Sequence, residues 1–296
     1  MLRITVDVFS GIPNPSWTLD EQQSKAVLEE ISGNRAVVVE DASALGRLGY
    51  RGIMIEAESD ETMKEYNLKD NFMIATGTSA DERAGTDLAR QLIKDMPIGK
   101  VALAEGRAPP DEELRDFLLE QVRAPRKVQL LTELDGLVVH KEMPKETCPY
   151  ETCESNFGFW NNDDYVRQNN NCYNYARNQR TDTFAQPGRA SGAYPYPVNC
   201  DAVTNGALSD GAHRRYDCFP ESESPRWLMA LVIWPGRDYH WYRKAREGFW
   251  GHKPGGTEAR NTDNSGRVIS DPEGCDRGPY TQFCGYFYAC KSMIIE

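Results

Sequence analysis

All eight cysteines of this 296-residue chain lie beyond residue 147: Cys148, Cys153, Cys172, Cys200, Cys218, Cys275, Cys284 and Cys290. Only the C-terminal half can therefore be cross-linked internally or use thiol chemistry, so the two halves must be stabilised in different ways. The charge is divided as well. Residues 1–144 carry 17 Lys and Arg against 26 Asp and Glu, while residues 145–296 carry 17 against 19. A net charge of −11 with no basic surplus in either half argues against nucleic acid and anionic membranes as partners. No apolar window reaches the length of a membrane span. The first residues, Met1 to Phe9, alternate like a strand and do not read as a signal peptide. That predicts a cytoplasmic chain or one exported by a route independent of a signal peptide.

These contrasts predict an acidic accessory domain over 1–125, a bridging segment over 126–147 and a Cys-rich domain over 148–296. The overall class expected is α+β, with a small α/β unit first. In that unit, Leu2–Phe9, Arg51–Ala57 and Asn71–Thr76 read as strands, and Val37–Val39 is a short apolar run. Thr18-Leu19-Asp20-Glu21 fits a capping box for a helix that carries Val27, Leu28 and Ile31 and stops at Gly33. Further helices are expected from Ser79 and from Asp111, the latter with Leu114, Phe117, Leu118 and Val122 on one face. Residues 1–125 contain neither Cys nor His, which points to a recognition, inhibitory, docking or structural role. In the bridge, Val128–Leu131 and Leu137–Val139 flank an Asp135-Gly136 hairpin turn, with His140 at its end.

In the C-terminal half, Asn169-Asn170-Asn171 runs into Cys172-Tyr173-Asn174-Tyr175-Ala176-Arg177. Asn is a strong N-cap, so Cys172 is expected in the first turn of a helix, where the dipole favours a thiolate. Cys148-Pro149-Tyr150-Glu151-Thr152-Cys153 is a C-x4-C pair that suits a loop clip, or half of a zinc site with no proper second half. Trp227–Trp234 is an eight-residue apolar run, as expected of a strand buried on both faces. Asp238–Arg243 and Phe249–Lys253 would form the next hairpin. A tip at 245–247 sets His240 opposite His252, with their side chains on one face, whereas a two-residue tip would pair His240 with Lys253 instead. Asp263-Asn264-Ser265-Gly266 reads as another hairpin tip, and His213 as part of a polar loop.

A helix-capping cysteine, then a histidine on a strand, then a polar residue on the next strand resembles the papain-like thiol hydrolases. The likeness is to the branch holding bacterial cell-wall endopeptidases and amidases, and it covers roughly residues 165–290. It implies a helix packed on an antiparallel sheet and a thiol hydrolase or acyltransferase acting on a peptide, peptidoglycan or isopeptide bond without a cofactor. Cys172 would be the nucleophile, His240 the base and His252 the orienting group, with Asp271, Asn261 or Asp263 as substitutes for His252. The family's oxyanion glutamine position is occupied by Val166 here, so Gln168 and Asn171 would supply the donors. Trp241 and Trp250 would contact a peptide-like substrate. Two other classes fit the same residues. One is a non-catalytic, disulfide-stabilised binding or toxin-like module. The other is a metal-binding protein using Cys172, His240 and His252 as ligands. Oligomeric state is open.

Overall fold

The computed structural model describes residues 1–39, 47–57, 60–76, 80–99, 109–123, 148–193, 197–214 and 220–296. The bridging segment 126–147 lies outside these residues, together with its expected hairpin, His140, Ser79 and Cys218. The chain divides into two compact units. Unit 1 comprises residues 1–8, 14–45 and 50–128, and unit 2 comprises 9–13, 46–49 and 129–296.

Unit 1 is a five-stranded sheet with helices. Its strands are β1 (Leu2–Asp7), β2 (Ser16–Leu19), β3 (Val38–Val39), β4 (Gly52–Ala57) and β5 (Asn71–Ile74), in the order β2-β1-β4-β5-β3. Every pairing is antiparallel. Its helices are α1 (Glu21–Gly33), α2 (Asp60–Glu65), α3 (Ala80–Lys94) and α4 (Glu112–Arg123). Alternation decides the core, since Leu2, Ile4 and Val6 of β1 and Ile53 and Ile55 of β4 are fully buried on one face. The helical periodicities bury Val27, Leu28 and Ile31 of α1 and Leu114, Leu118 and Val122 of α4, the last helix packing against α3. The capping box of α1 falls two residues later than expected, at Asp20 and Gln23. Thr18 belongs instead to β2, because Trp17 and Leu19 alternate into the core and pair with Ile4 and Leu2. An ion pair joins Arg51, its side chain fully buried, to Asp7 within this unit.

Unit 2 carries helices α5 (Phe157–Asn161), α6 (Asp164–Asn169), α7 (Cys172–Arg177) and α8 (Cys200–Ser209). Its strands are β6 (Ala212–Arg214), β7 (Trp227–Trp234), β8 (Asp238–Lys244), β9 (Trp250–His252) and β10 (Gln282–Ala289), in the order β6-β10-β7-β8-β9, again all antiparallel. The fold is α+β, with two antiparallel sheets. As expected of an unbroken apolar run, β7 lies inside the sheet with six buried residues in succession. His213 is in strand β6 opposite Tyr288 and not in a loop, because Ala212 and its neighbours complete the edge beside β10. The turn at 263–266 is present, closed by Gly266 N–H donating to the Asp263 carbonyl and Asp263 N–H to the Arg267 carbonyl. No helix among the described residues is long and apolar enough to cross a membrane.

A disulfide joins Cys200, at the start of α8, to Cys284, at the bulge in β10, closing a separation of 84 residues. Constraining so long a loop in the unfolded chain stabilises the fold by about 2–5 kcal/mol. Cys148 is disulfide-bonded too, whereas Cys153 is free, so the C-x4-C pair neither closes on itself nor forms half of a zinc site.

Candidate functional site

Helix α7 starts where the residues of its first turn demand it. The Asn171 side-chain oxygen accepts from Tyr173 and Asn174 N–H, and the Asn174 side chain accepts from Asn171 N–H. The Asn171 amide nitrogen donates to the carbonyls of Gly11 and Ala185. Every donor and acceptor of that side chain is thus used in holding the chain, which leaves nothing for an oxyanion. Gln168, the other expected donor, is exposed on α6.

Cys172 follows the cap as expected, but its environment is apolar and closed. The residue is fully buried and its thiol faces the Tyr239 carbonyl at 4.0 Å. Burial drives the Cys172 pKa well above that of an ordinary thiol, and the Asp238 carboxylate pushes it the same way. Desolvation outweighs the dipole of a six-residue helix, so the group is a thiol rather than a thiolate. Alkylation of the native protein by iodoacetamide near neutral pH is expected to spare Cys172 and Cys290, both fully buried. The free cysteines among the described residues, Cys153, Cys172, Cys275 and Cys290, should all react after denaturation. Peptide mass mapping reads the difference, and rapid native labelling at Cys172 would show that its sulfur reaches solvent.

The histidines do meet each other. His240 Nε2 lies 2.8 Å from His252 Nδ1, and His252 Nε2 lies 2.9 Å from the Thr262 carbonyl oxygen. A carbonyl only accepts, so His252 carries its proton on Nε2 and leaves Nδ1 to accept from His240. Burial lowers the His252 pKa to about 3, the Thr262 bond resisting and the Arg260 charge assisting. The register differs from the expected one by two positions. Tyr242 faces His252 directly, because Ala245 N–H pairs with the Phe249 carbonyl and the tip becomes 246–248. A shift of two keeps both rings on one face, so the contact survives diagonally. The position of an orienting carboxylate is taken by the Thr262 carbonyl. Asp271 accepts from the Tyr286 hydroxyl, and Asp263 accepts from Ser265, Arg267 and Asp276 N–H. The Asn261 carbonyl accepts from Ile269 N–H.

The structure does not bring Cys172 to this pair. Successive residues of a strand point to opposite faces. Trp241 of β8 turns toward α7, its ring 5.4 Å from that of Tyr173. His240 turns the other way, against Tyr242, His252 and Tyr280. The backbone of β8 therefore stands between thiol and imidazole. The same alternation explains the Trp250-Gly251-His252 motif. Gly251 faces α7, and a Cβ there would lie 2.1 Å from the Tyr175 hydroxyl. Trp241 and Trp250 are core residues and not a substrate surface, at 0% and 3% exposure.

Three further residues matter that were not singled out from the sequence. Asp238, fully buried, accepts from the N–H groups of Ser10, Gly11 and Ile12 and from the Tyr280 hydroxyl. Burial raises its pKa against the pull of these bonds. Arg243, also buried, donates to the carbonyls of Tyr175, Glu154 and Ser155 and lies 4.4 Å above the Tyr175 ring. Lys253 donates to the carbonyls of Arg167, Asn170 and Gly255. Polar residues inside an aromatic-rich strand pair were the available signal, since a buried charge must be clasped. Among the described residues no group of three His, Cys, Asp or Glu is arranged to hold a metal ion, and both His252 nitrogens are already engaged.

No family model matches the chain, and no solved structure does. The chain is 52% identical over 130 residues to insoluble matrix shell protein 1 of Ruditapes philippinarum, an alignment spanning 43% of this chain and 83% of that protein. This finding overturns the expected thiol hydrolase or acyltransferase and its bacterial setting, because the relative is a shell matrix protein of a mollusc. The buried, un-ionised thiol of Cys172 gives the physical reason why cap and chain order alone misled. With 83% of that relative covered at 52% identity, the chain belongs to the family of insoluble matrix shell protein 1.

Proposed function

We propose that the chain is a structural component of an insoluble extracellular matrix, braced by disulfides and buried polar clasps. The observation that carries this reading is the 52% identity to a protein named for the insoluble matrix of a shell. The cross-links support it, since disulfides such as Cys200–Cys284 persist in oxidising compartments and are rare in reducing ones. So does the use of the Asn171–Ala176 motif, whose side chains are all buried in the service of packing and capping. The layering of a cysteine-bearing helix on an antiparallel sheet is what supports a papain-like architecture for unit 2, and it brings no thiol chemistry with it. Fractionation of source tissue tests the role. After extraction with salt and detergent, the chain is expected in the insoluble residue and to be released by denaturant with reductant. Recovery in the first soluble fraction would remove the matrix reading.

A further inference from the structure

The free thiols among the described residues differ in what surrounds them. Cys172 and Cys290 are fully buried, each with its sulfur turned on a main-chain carbonyl, that of Tyr239 or Tyr288. Cys275 is half-buried, its sulfur 3.5 Å from the Pro272 carbonyl. Cys153 is half-buried too, but no carbonyl among the described residues holds its sulfur. It forms an isolated parallel bridge with Ala245, and its own carbonyl accepts from Arg246 N–H. That sets it beside the hairpin tip, where the Arg246 and Glu154 side chains are 62% and 68% exposed. Bridged residues share a face, and Arg243, two residues before Ala245, shares it with them. Arg243 is fully buried, and its terminal nitrogens donate to the carbonyls of Tyr175, Glu154 and Ser155. Its Nε–H has no acceptor among the described residues. A buried donor without an acceptor is costly, and on this face it is a ready donor to a sulfur anion. Burial raises the Cys153 pKa, and the Arg243 charge pulls it back.

We propose that Cys153 is the point at which two copies of the chain are joined by a disulfide. The proposal rests on the matrix reading above, because an oxidising compartment supplies the small disulfide that the exchange consumes. A second copy is the partner that fits. Cys200–Cys284 closes within one chain and holds no two chains together. The exposed Arg246 and Glu154 beside Cys153 carry opposite charges, so a two-fold pairing sets each against its complement on the other copy. The deprotonated Cys153 sulfur attacks one sulfur of the small disulfide, whose S–S bond breaks and whose other sulfur leaves and takes up a proton. The Cys153 thiolate of the second copy then attacks the Cys153 sulfur of this mixed disulfide and expels the second small thiol. Two protein thiols and one small disulfide thus become one protein disulfide and two small thiols.

Full-length protein incubated with oxidised glutathione at pH 8 is expected to give a covalent dimer on non-reducing gels, which dithiothreitol dissolves. Peptide mass mapping should find Cys153 joined to Cys153. Formation should run about tenfold slower at pH 7, because the thiolate is the reacting form. Cys153→Ser should give no dimer, and Cys275→Ser should give it unchanged. Cys153 recovered as a free thiol, or only as its glutathione adduct, overturns the proposal, and so does a dimer linked through another cysteine. Mapping of the wild-type chain decides this even where a variant fails to fold. Tissue fractionation separates this proposal from the reading it rests on. Release from the insoluble residue by denaturant without reductant overturns the cross-link and leaves the matrix role. A soluble chain that still dimerises through Cys153 removes the matrix role and supports the cross-link.

Discussion

Replacing Lys253 by methionine is expected to lower the unfolding free energy of unit 2 by about 4 kcal/mol, although the two side chains have similar apolar stems. The Lys253 ammonium is fully buried and donates to three carbonyl oxygens, those of Arg167 at 2.5 Å, Asn170 at 2.6 Å and Gly255 at 2.7 Å. Arg167 lies in the last turn of α6, and Asn170 is its C-cap. Such carbonyls lack helical partners and form the negative end of the helix dipole, so a cation is well placed there. Methionine would leave three buried acceptors stranded, at about 1–3 kcal/mol each before relaxation. The junction would loosen where Asn171 turns the chain into α7. Urea denaturation followed by tryptophan fluorescence measures the loss, and thermal melting should fall by roughly 10 °C for a unit of this size. A loss below about 1 kcal/mol would show that the cage refills with water.

The second large effect is an acid slope. His252 carries a folded pKa of about 3 against an ordinary value of 6.5, with burial the main cause. Below pH 6.5 the unfolded chain takes up a proton at this position while the folded chain does not. Stability contributed by the neutral ring is therefore complete above 6.5 and declines by about 1.4 kcal/mol per pH unit until the folded form also protonates near 3. Other groups modify the curve. Asp238 and Asp210, raised by burial, protonate sooner when folded and offset part of the loss. Glu151, held at about 2 by its hydrogen bond from Arg226, adds to the loss below pH 4.5. A His252→Gln variant retains a donor toward Thr262 and removes only the imidazole titration. Its stability is expected to be lower at neutral pH but flatter by that same slope between pH 6.5 and 5. Parallel curves for the two proteins would mean that His252 titrates normally in the folded state.

Much of the architecture could be read without coordinates because its signals are local. The unbroken apolar run Trp227–Trp234 could only be an interior strand, and it is β7. Asn171 could only start a helix, and it caps α7 with a box that Asn174 completes. The face shared by His240 and His252 follows from the period of two and is insensitive to the even shift in register. Helices α5 and α8 and strands β2, β6 and β10 were harder, being short or interrupted. In β10 the break is the bulge between Phe283 and Gly285, which spoils the alternation.

The site shows where local reading stops. Residue order and capping placed a cysteine at a helix start and two histidines on neighbouring strands, and each of those placements is correct. Whether they meet depends on which side of the sheet the helix lies, and no local pattern encodes that. The sheet puts α7 against Tyr239 and Trp241 of β8 and leaves His240 on the far face. Protonation was equally out of reach. The dipole that favours a thiolate is a property of the helix, but the desolvation that cancels it belongs to everything packed around Cys172. Sequence patterning thus decided the longer elements, the cap of α7 and the faces of the strands, because these depend on neighbours within a turn or a strand pair. Tertiary packing decided the chemistry, because charge, exposure and proximity are set by groups far apart along the chain, such as Ser10 and Asp238.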